Sequence, residues 1–145
     1  MPRPTLVLFH VAHVQGLVDR DGAGSSLTAL IAEHHNGPAV TGMVDGRVIG
    51  CAGLALQWPG MATAWMLLSP EIGEHGIWMT RMTRRMLRDW TRAYDLHRVE
   101  AVSLQSSRRN QEWLEALGFA RERDGIARAY TPDRRDMARY ELVEE

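Results

Sequence analysis

Lysine is absent from this sequence of 145 residues, and all 17 of its basic residues are arginine. Two explanations stay open: codon bias in a GC-rich genome, or a preference for the planar, bidentate contacts that arginine makes with phosphate and carboxylate groups. Because 18 acidic residues bring the formal net charge to −1, the chain has no general attraction for nucleic acid. We therefore expect no nucleic-acid partner.

Cysteine is nearly absent as well, since Cys51 stands alone and no disulfide can form within the chain. A reducing compartment, the cytoplasm, is the expectation. No apolar run approaches the roughly 20 residues that a membrane span needs. The histidines at positions 10, 13, 34 and 35 have no neighbouring cluster of cysteine or aspartate, so we predict neither a membrane segment nor a metal site.

The length fits a single domain, residues 1–145, which the hydrophobic pattern divides into short elements. Strands are predicted at 3–11, on both sides of the Asp45-Gly46 turn, at 62–69, at 98–105 and as two or three short strands after Phe119. Helices are predicted before Asn36-Gly37, at 77–94 and at 107–119. In the longest helix, Met79, Met82, Met86, Trp90 and Ala93 recur at helical spacing and indicate its buried stripe.

The strands at 62–69 and 98–105 flank the long helix and form a βαβ unit with it, so these two strands should be parallel. The predicted fold class is therefore α/β, in the α+β sense. It consists of a mixed, mostly antiparallel twisted sheet with a central parallel pair and helices on both faces.

This order of elements, together with NQEWLEALGF at 110–119, resembles the GNAT superfamily of acyl-coenzyme A-dependent N-acyltransferases. The match is specific at the LGF of residues 117–119 and at the strand, loop and helix of residues 62–81, where the family binds the coenzyme A pyrophosphate. The segments HRVEAV, EWLEALGF and RAYTPDRRDMARYEL further resemble short phage-encoded members, including internal virion proteins. The resemblance implies acetyl-CoA or another acyl-CoA as co-substrate, an amine acceptor, and a second copy or a virion protein as partner.

The loop SPEIGEHGIWMTR at 69–81 departs from the family pattern in three places. Gly73 stands where arginine or glutamine is usual, Glu74 replaces the first glycine, and Trp78 replaces a small residue, while Gly76 is retained. Phosphate binding needs backbone N–H groups at the positive end of a helix dipole. Glu74 opposes it with a negative charge and Trp78 with bulk. Charge-assisted bonds from Arg81, Arg84 or Arg85 in the first helical turns to phosphate are the expected compensation. An ordinary polar loop with a solvated arginine face is the alternative.

The resemblance implies a set of cofactor contacts in this loop and beside it: Leu67, Leu68, Ser69, Gly73, Glu74, His75, Gly76, Ile77, Trp78, Arg81, Ser107 and Asn110. Ser107 also has a simpler role as the cap of its helix. The backbone N–H near Leu68 is expected to polarise the thioester carbonyl.

The catalytic residues are less well marked. The tyrosine that many family members use as general acid corresponds here to Leu114, which has no proton to donate. Candidates for acid or base catalysis are Glu71, Ser103 and Tyr130, with Glu100 on the same predicted strand as Ser103. Two hypotheses follow: an active N-acyltransferase, or a GNAT-fold protein that has lost catalysis and serves as a phage structural or host-interaction component.

Overall fold

The computed structural model describes residues 3–14, 17, 36–104, 108–132 and 134–143. Its strands are β1 (Thr5–Leu8), β2 (Ala39–Val44), β3 (Arg47–Trp58), β4 (Met61–Leu68), β5 (Arg98–Leu104), β6 (Ala120–Ala127) and β7 (Met137–Val143). Its α-helices are α1 (Gly76–Ala93) and α2 (Arg108–Ala116), and short 3₁₀ helices cover Val11–Val14 and Pro70–His75.

The seven strands form one sheet in the order β1-β2-β3-β4-β5-β7-β6. Every neighbouring pair is antiparallel except β4 and β5, which are parallel and joined through α1. The mixed sheet and its central parallel pair are thus confirmed. The hairpin of β2 and β3 turns at Asp45 and Gly46, whose positive φ angles of 49° and 74° are those that a two-residue hairpin turn requires.

Helical segments lie on both faces of the sheet, as predicted. Helices α1 and α2 pack on one face over the main core, whose buried members are Leu54, Ala62, Leu87, Leu96, Val99, Ala101, Leu117, Phe119, Ala138 and Tyr140. On the other face, Cys51, Trp65 and Leu67 are covered by the N-terminal segment, through Phe9 and Val14. Side chains alternate between the two faces along each strand.

Several element boundaries differ from the prediction. Strand β1 ends at Leu8 and a 3₁₀ helix follows it, whereas the pattern predicts a strand to residue 11. Residues 120–127 form one strand, so IARAY is not a strand of its own. Most of the segment that precedes Asn36, with its predicted helices, lies outside the described residues.

The buried stripe of α1 is also shifted. Met79 and Leu87 are its buried residues, whereas Met82 and Met86 are half-buried and Ala93 is exposed. Leucine at position 87 lies two turns after Met79, so the helix faces the sheet slightly to one side of the methionine row. The pattern of methionines alone predicts the helix correctly and its orientation only approximately.

Candidate functional site

The parallel strands β4 and β5 separate after only three residue pairs. Met61, Ala62 and Thr63 pair with Arg98, Val99 and Glu100, and the pairing stops there although β4 continues to Leu68 and β5 to Leu104. Since both strands run in the same direction, the gap widens toward their carboxyl ends. The result is an opening in the middle of the sheet, with Thr63 and Glu100 at its closed end.

The backbone of β4 faces this opening with hydrogen-bonding groups that no strand satisfies. The N–H of Ser69 donates to the carbonyl oxygen of Ile49 at 3.0 Å, so at Ser69 the backbone points toward β3. Backbone direction alternates along a strand, and therefore the N–H groups of Leu68 and Met66 point toward the β5 side. In residues 61–68 and 98–104 no strand pairing reaches them there.

The chain passes from β4 into α1 through the 3₁₀ helix Pro70–His75, which the sequence pattern presents only as a loop. Ser69 caps it: its Oγ accepts a hydrogen bond from the N–H of Glu71 at 3.2 Å, and its carbonyl oxygen accepts one from the N–H of Ile72 at 3.1 Å. At the start of α1, by contrast, His75 provides no side-chain cap. The positive end of the α1 dipole is therefore directed at whatever lies above this turn.

Gly73 and Gly76 leave open space at this turn. A Cβ atom built on either residue meets no heavy atom within 4 Å, and the φ of Gly76 is an ordinary helical −60°. Neither glycine is needed for a strained backbone or for close packing within the described chain. The two positions are consistent with the close approach of a ligand to the backbone, and this turn fits a pyrophosphate in that respect.

The indole of Trp78 lies against the sheet. A Cβ on Gly42 would stand 3.4 Å from its Cη2 and Cζ3 atoms, and one on Gly50 would stand 3.3 Å from Cε of Met79. Because Gly42 and Gly50 are paired across β2 and β3, they form a floor of small residues beneath the start of α1. The bulk of Trp78 is accommodated there, together with Ile49 and Ile72.

Helix α2 holds the first turn of α1 in place. Nε1 of Trp113 donates to Oγ1 of Thr80 at 2.9 Å, and Oγ1 of Thr80 donates to the carbonyl oxygen of Gly76 at 2.8 Å. One turn further along, Arg84 donates through Nε to the carbonyl oxygen of Ala116 at 3.1 Å and so caps the end of α2. The guanidinium of Arg84 is therefore bound to the end of α2 and not to the turn at residues 70–75. Arg81, in the first turns of α1, is exposed.

The charges beside the turn are mostly negative. Arg47, at the start of β3, donates to the carboxylate of Glu71 through Nη2 at 2.9 Å and Nε at 3.2 Å. Glu71 raises the pKa of Arg47, and Asp45 and Glu74 add smaller contributions in the same direction. A single guanidinium is therefore surrounded by three carboxylates. The Glu71 carboxylate lies on the β3 side of β4, whereas the opening lies on the β5 side.

Glu100 stands at the closed end of the opening. Val99 and Ala101 belong to the core beneath the helices, so the side chain of Glu100 is on the opposite face of the sheet. There it accepts a hydrogen bond from Nε of Arg98 at 3.0 Å. The same guanidinium binds Glu141 and Glu122, which makes Arg98 the centre of a half-buried ionic network.

The other predicted catalytic residues are dispersed. Ser103 lies on β5 opposite Ala138 of β7, and its side chain is outside the described part of the structure. Tyr130 is 48% exposed in the connection between β6 and β7, which precedes Met137 and so lies at the carboxyl end of β5. Leu114 packs against the main core.

The last two predicted cofactor contacts are Ser107, just before α2, and Asn110, within it. Ser107 lies outside the described residues, and Asn110 is half-buried in the first turn of α2. On the neighbouring strand, Tyr140 is buried in the core and donates from its hydroxyl to Oε1 of Gln111 at 3.3 Å. Burial, and secondly the charge of Glu115, raise the pKa of Tyr140, while Arg121 lowers it.

The described residues contain no group of three or more His, Cys, Asp or Glu side chains that is able to hold a metal ion. None of the helices in this part of the chain is long and apolar enough to cross a membrane.

The contacts that sequence analysis misses here are those between residues far apart in the chain. The Trp113 and Thr80 pair and the Arg47 and Glu71 pair join residues separated by 33 and 24 positions. The tryptophan of α2 is visible in the sequence, but nothing near it in the sequence indicates Thr80 as its partner.

Comparison with solved structures identifies the architecture. Ribosomal-protein-S5-alanine acetyltransferase from Vibrio fischeri matches 100% of this chain and 95% of its own at a TM-score of 0.72 and 16% identity. An acetyltransferase of the GNAT family from Bacillus anthracis matches 97% and 95% at a TM-score of 0.70 and 14% identity. A mutant of the spermidine N-acetyltransferase SpeG from Vibrio cholerae matches 97% and 93% at 0.70 and 13%. No protein-family model and no curated protein matches the sequence. The chain has the GNAT fold.

Proposed function

We propose that the protein is an acyl-CoA-dependent N-acyltransferase, which transfers the acyl group of a coenzyme A thioester to an amine. The observation that carries this proposal is the opening between β4 and β5 directly ahead of the start of α1. The N–H groups of Met66 and Leu68 line that opening on the β4 side. An extended ligand with amide groups, such as the pantetheine arm of coenzyme A, pairs with such an edge as an added strand does.

The phosphates of the cofactor are assigned to the turn at residues 73–78. Three features support this assignment: the α1 dipole without a side-chain cap, the open space at Gly73 and Gly76, and the exposed guanidinium of Arg81 one turn into the helix. Acetyl-CoA is the expected co-substrate, by resemblance to the family. Leu67, Ser69, His75, Ile77, Ser107 and Asn110 remain predicted contacts.

In the proposed reaction, the lone pair of a neutral amine attacks the carbonyl carbon of the thioester. The new C–N bond forms, the C–S bond breaks, and the electron pair leaves on sulfur, which takes up a proton to give free coenzyme A. The N–H of Leu68 faces the opening and donates to the carbonyl oxygen as it gains negative charge. The amine has to lose a proton, and this calls for a base at the opening.

Glu100 and Glu71 are the two carboxylates among the candidates for this base. Each is held by an arginine, Glu100 by Arg98 at the closed end of the opening and Glu71 by Arg47 on the other side of β4, and each would act only after leaving that partner. Ser103 and Tyr130 stay as predicted participants on the β5 side. The acceptor class is an amine. The names of the similar structures include both a ribosomal-protein alanine and spermidine as acceptors of those enzymes.

Titration calorimetry with acetyl-CoA tests the proposal directly, followed by thiol release in the presence of a panel of amines. We expect binding and amine-dependent release of free coenzyme A. The absence of heat at millimolar acetyl-CoA would remove the enzyme proposal. Glu100→Gln and Glu71→Gln then separate the two carboxylates, because loss of the base lowers kcat with little change in KM for acetyl-CoA.

A second candidate is a GNAT-fold protein without catalysis, in a phage structural or host-interaction role. Leu114, packed in the core where a phenol is common in the family, supports this alternative. Phage origin rests only on the sequence resemblance. Binding of acetyl-CoA without thiol release for any amine favours this candidate, and turnover with one amine excludes it.

A further inference from the structure

A second groove lies at the edge of the sheet opposite the carboxyl ends of β4 and β5. It has a volume of about 340 Å³ and lies where α1 ends, α2 ends and β5 begins. Its rim is basic, with Arg84, Arg88 and Arg92 spaced one turn apart along α1, and its floor is aliphatic. We call it the basic groove. Its floor comprises Leu87, Leu96, Val99, Leu117 and Leu142, and Thr91, His97, Arg98 and Val143 complete the lining.

Two of the three rim arginines are available to a ligand. Arg84 is held by the carbonyl oxygen of Ala116. Arg88 and Arg92 are exposed, and among the described residues neither guanidinium has a hydrogen-bond or ion-pair partner. Neighbours four apart on a helix are about 5–6 Å apart at Cβ, so two guanidinium groups can close on one anionic head.

The groove is separate from the proposed cofactor site. Gly76 and Arg92 are 16 positions apart in one helix, and at 1.5 Å per residue this places them about 24 Å apart. Helix α2 likewise starts near the opening and ends at the groove. A coenzyme A molecule whose phosphates lie at the turn is therefore not expected to extend into the basic groove.

From this arrangement we propose that the basic groove binds an anionic amphiphile, a small molecule with a carboxylate or phosphate head and an aliphatic chain. The head contacts Arg88 and Arg92, and the chain lies over the aliphatic floor. The volume is at the lower end of the roughly 300–1,000 Å³ usual for small-molecule sites, which favours a chain of medium length over a protein segment. The proposal does not depend on the acyltransferase reaction.

Decanoate, used below its micelle concentration, is the probe for this site. Calorimetry on the full chain should detect its binding, while acetate, which has the head alone, and decanol, which has the chain alone, should bind far more weakly. Backbone amide shifts in a nitrogen-15 spectrum should change at the floor residues on addition of decanoate. Equal binding of decanol and decanoate would overturn the role of the arginines, and absence of decanoate binding would overturn the site.

Substitutions in the basic groove test whether decanoate binds there. Arg88→Gln and Arg92→Gln should each weaken decanoate about five-fold, because each removes one charge-assisted contact at a partly exposed site. Arg85→Gln is the matched control, since Arg85 is exposed on the same helix but does not line the groove.

Thermal unfolding of each variant separates this role from helix stabilisation. Arginines near a helix end also interact favourably with its dipole. If Arg88→Gln and Arg92→Gln lower the melting temperature but bind decanoate as the parent does, the arginines serve α1 alone and the proposal is wrong. If Arg85→Gln weakens decanoate as much as they do, the binding is only a response to net charge.

Discussion

Trp113 donates its indole hydrogen to Oγ1 of Thr80 at 2.9 Å, and through Thr80 it is connected to the carbonyl oxygen of Gly76. This contact joins the middle of α2 to the first turn of α1. It fixes the position of the turn that we propose as the phosphate site relative to the helix that packs beside it. The turn is thus supported from within the fold and not only by the strand before it.

Trp113→Phe should lower the free energy of unfolding by about 1 kcal/mol, since it removes one neutral hydrogen bond and keeps most of the aromatic packing. Denaturation in urea measures the loss as a lower midpoint at unchanged slope. Trp58→Phe is the control, because Trp58 is 62% exposed and should change stability by less than about 0.5 kcal/mol. Equal losses in the two variants would mean that the Trp113 contact adds nothing to stability.

Gly76 gives a prediction in which stability and binding change in opposite directions. Gly76→Ala should stabilise the protein by about 0.5–1 kcal/mol, because its φ and ψ are helical and a Cβ there meets open space. The same Cβ should weaken acetyl-CoA, because it projects where the phosphates are proposed to approach the backbone. Urea denaturation and calorimetry on one preparation give both values.

Gly76→Asp extends this test by adding a negative charge at the same position. It should weaken acetyl-CoA more than Gly76→Ala does, and the difference between the two should shrink at high salt. Unchanged affinity in both variants would show that the cofactor does not lie over this turn.

Whereas Gly76→Asp should weaken the binding of acetyl-CoA, removal of the negative charge of Glu74 should strengthen it. Glu74→Gln should tighten the binding of acetyl-CoA about two- to five-fold, because it removes one of the carboxylates beside the start of a helix that is proposed to hold phosphates. The gain should be largest at low salt. Asp89→Asn, an exposed charge change further along α1, should leave acetyl-CoA affinity unchanged. If both substitutions tighten binding equally, the effect is one of net charge and not of the turn.

The sequence predicts the order of strands and helices well because each is short and has its own periodic or turn signal. The hairpin at Asp45 and Gly46 is specified by two residues that tolerate positive φ, and the parallel pair follows from the βαβ connection. The opening between β4 and β5 has no such signal. It depends on where pairing stops, which is set by how α1 and the sheet pack together. The residues alone therefore do not indicate it.

The contacts of the candidate site are hard to predict for the same reason, because they depend on how distant segments pack together. The glycines of the turn are visible in the sequence, but the 3₁₀ helix that Ser69 caps is not, because the pattern shows only a loop there. The partner of Glu71 is not visible either, because Arg47 comes close only through the register of β3. Likewise the row Met79, Met82 and Met86 predicts a helix, but the residues of that helix that are buried are Met79 and Leu87.

Tyr140 makes the stability of the protein depend on pH in the alkaline range. Burial raises its pKa above the ordinary value of about 10, with Glu115 adding to the shift and Arg121 opposing it. Below that value the phenol is protonated in both the folded and the unfolded chain and contributes no pH dependence. Above it the unfolded chain loses the proton first, so the free energy of unfolding falls as the pH rises.

Tyr140→Phe should therefore reduce the loss of stability between about pH 9 and about pH 11, because phenylalanine has no proton to lose. Urea denaturation at the two pH values measures the loss in each variant. Tyr94→Phe should retain the full loss, since Tyr94 is 43% exposed and lies outside the core that buries Tyr140. An undiminished loss in Tyr140→Phe would assign the alkaline dependence to other groups and contradict the raised pKa of this phenol.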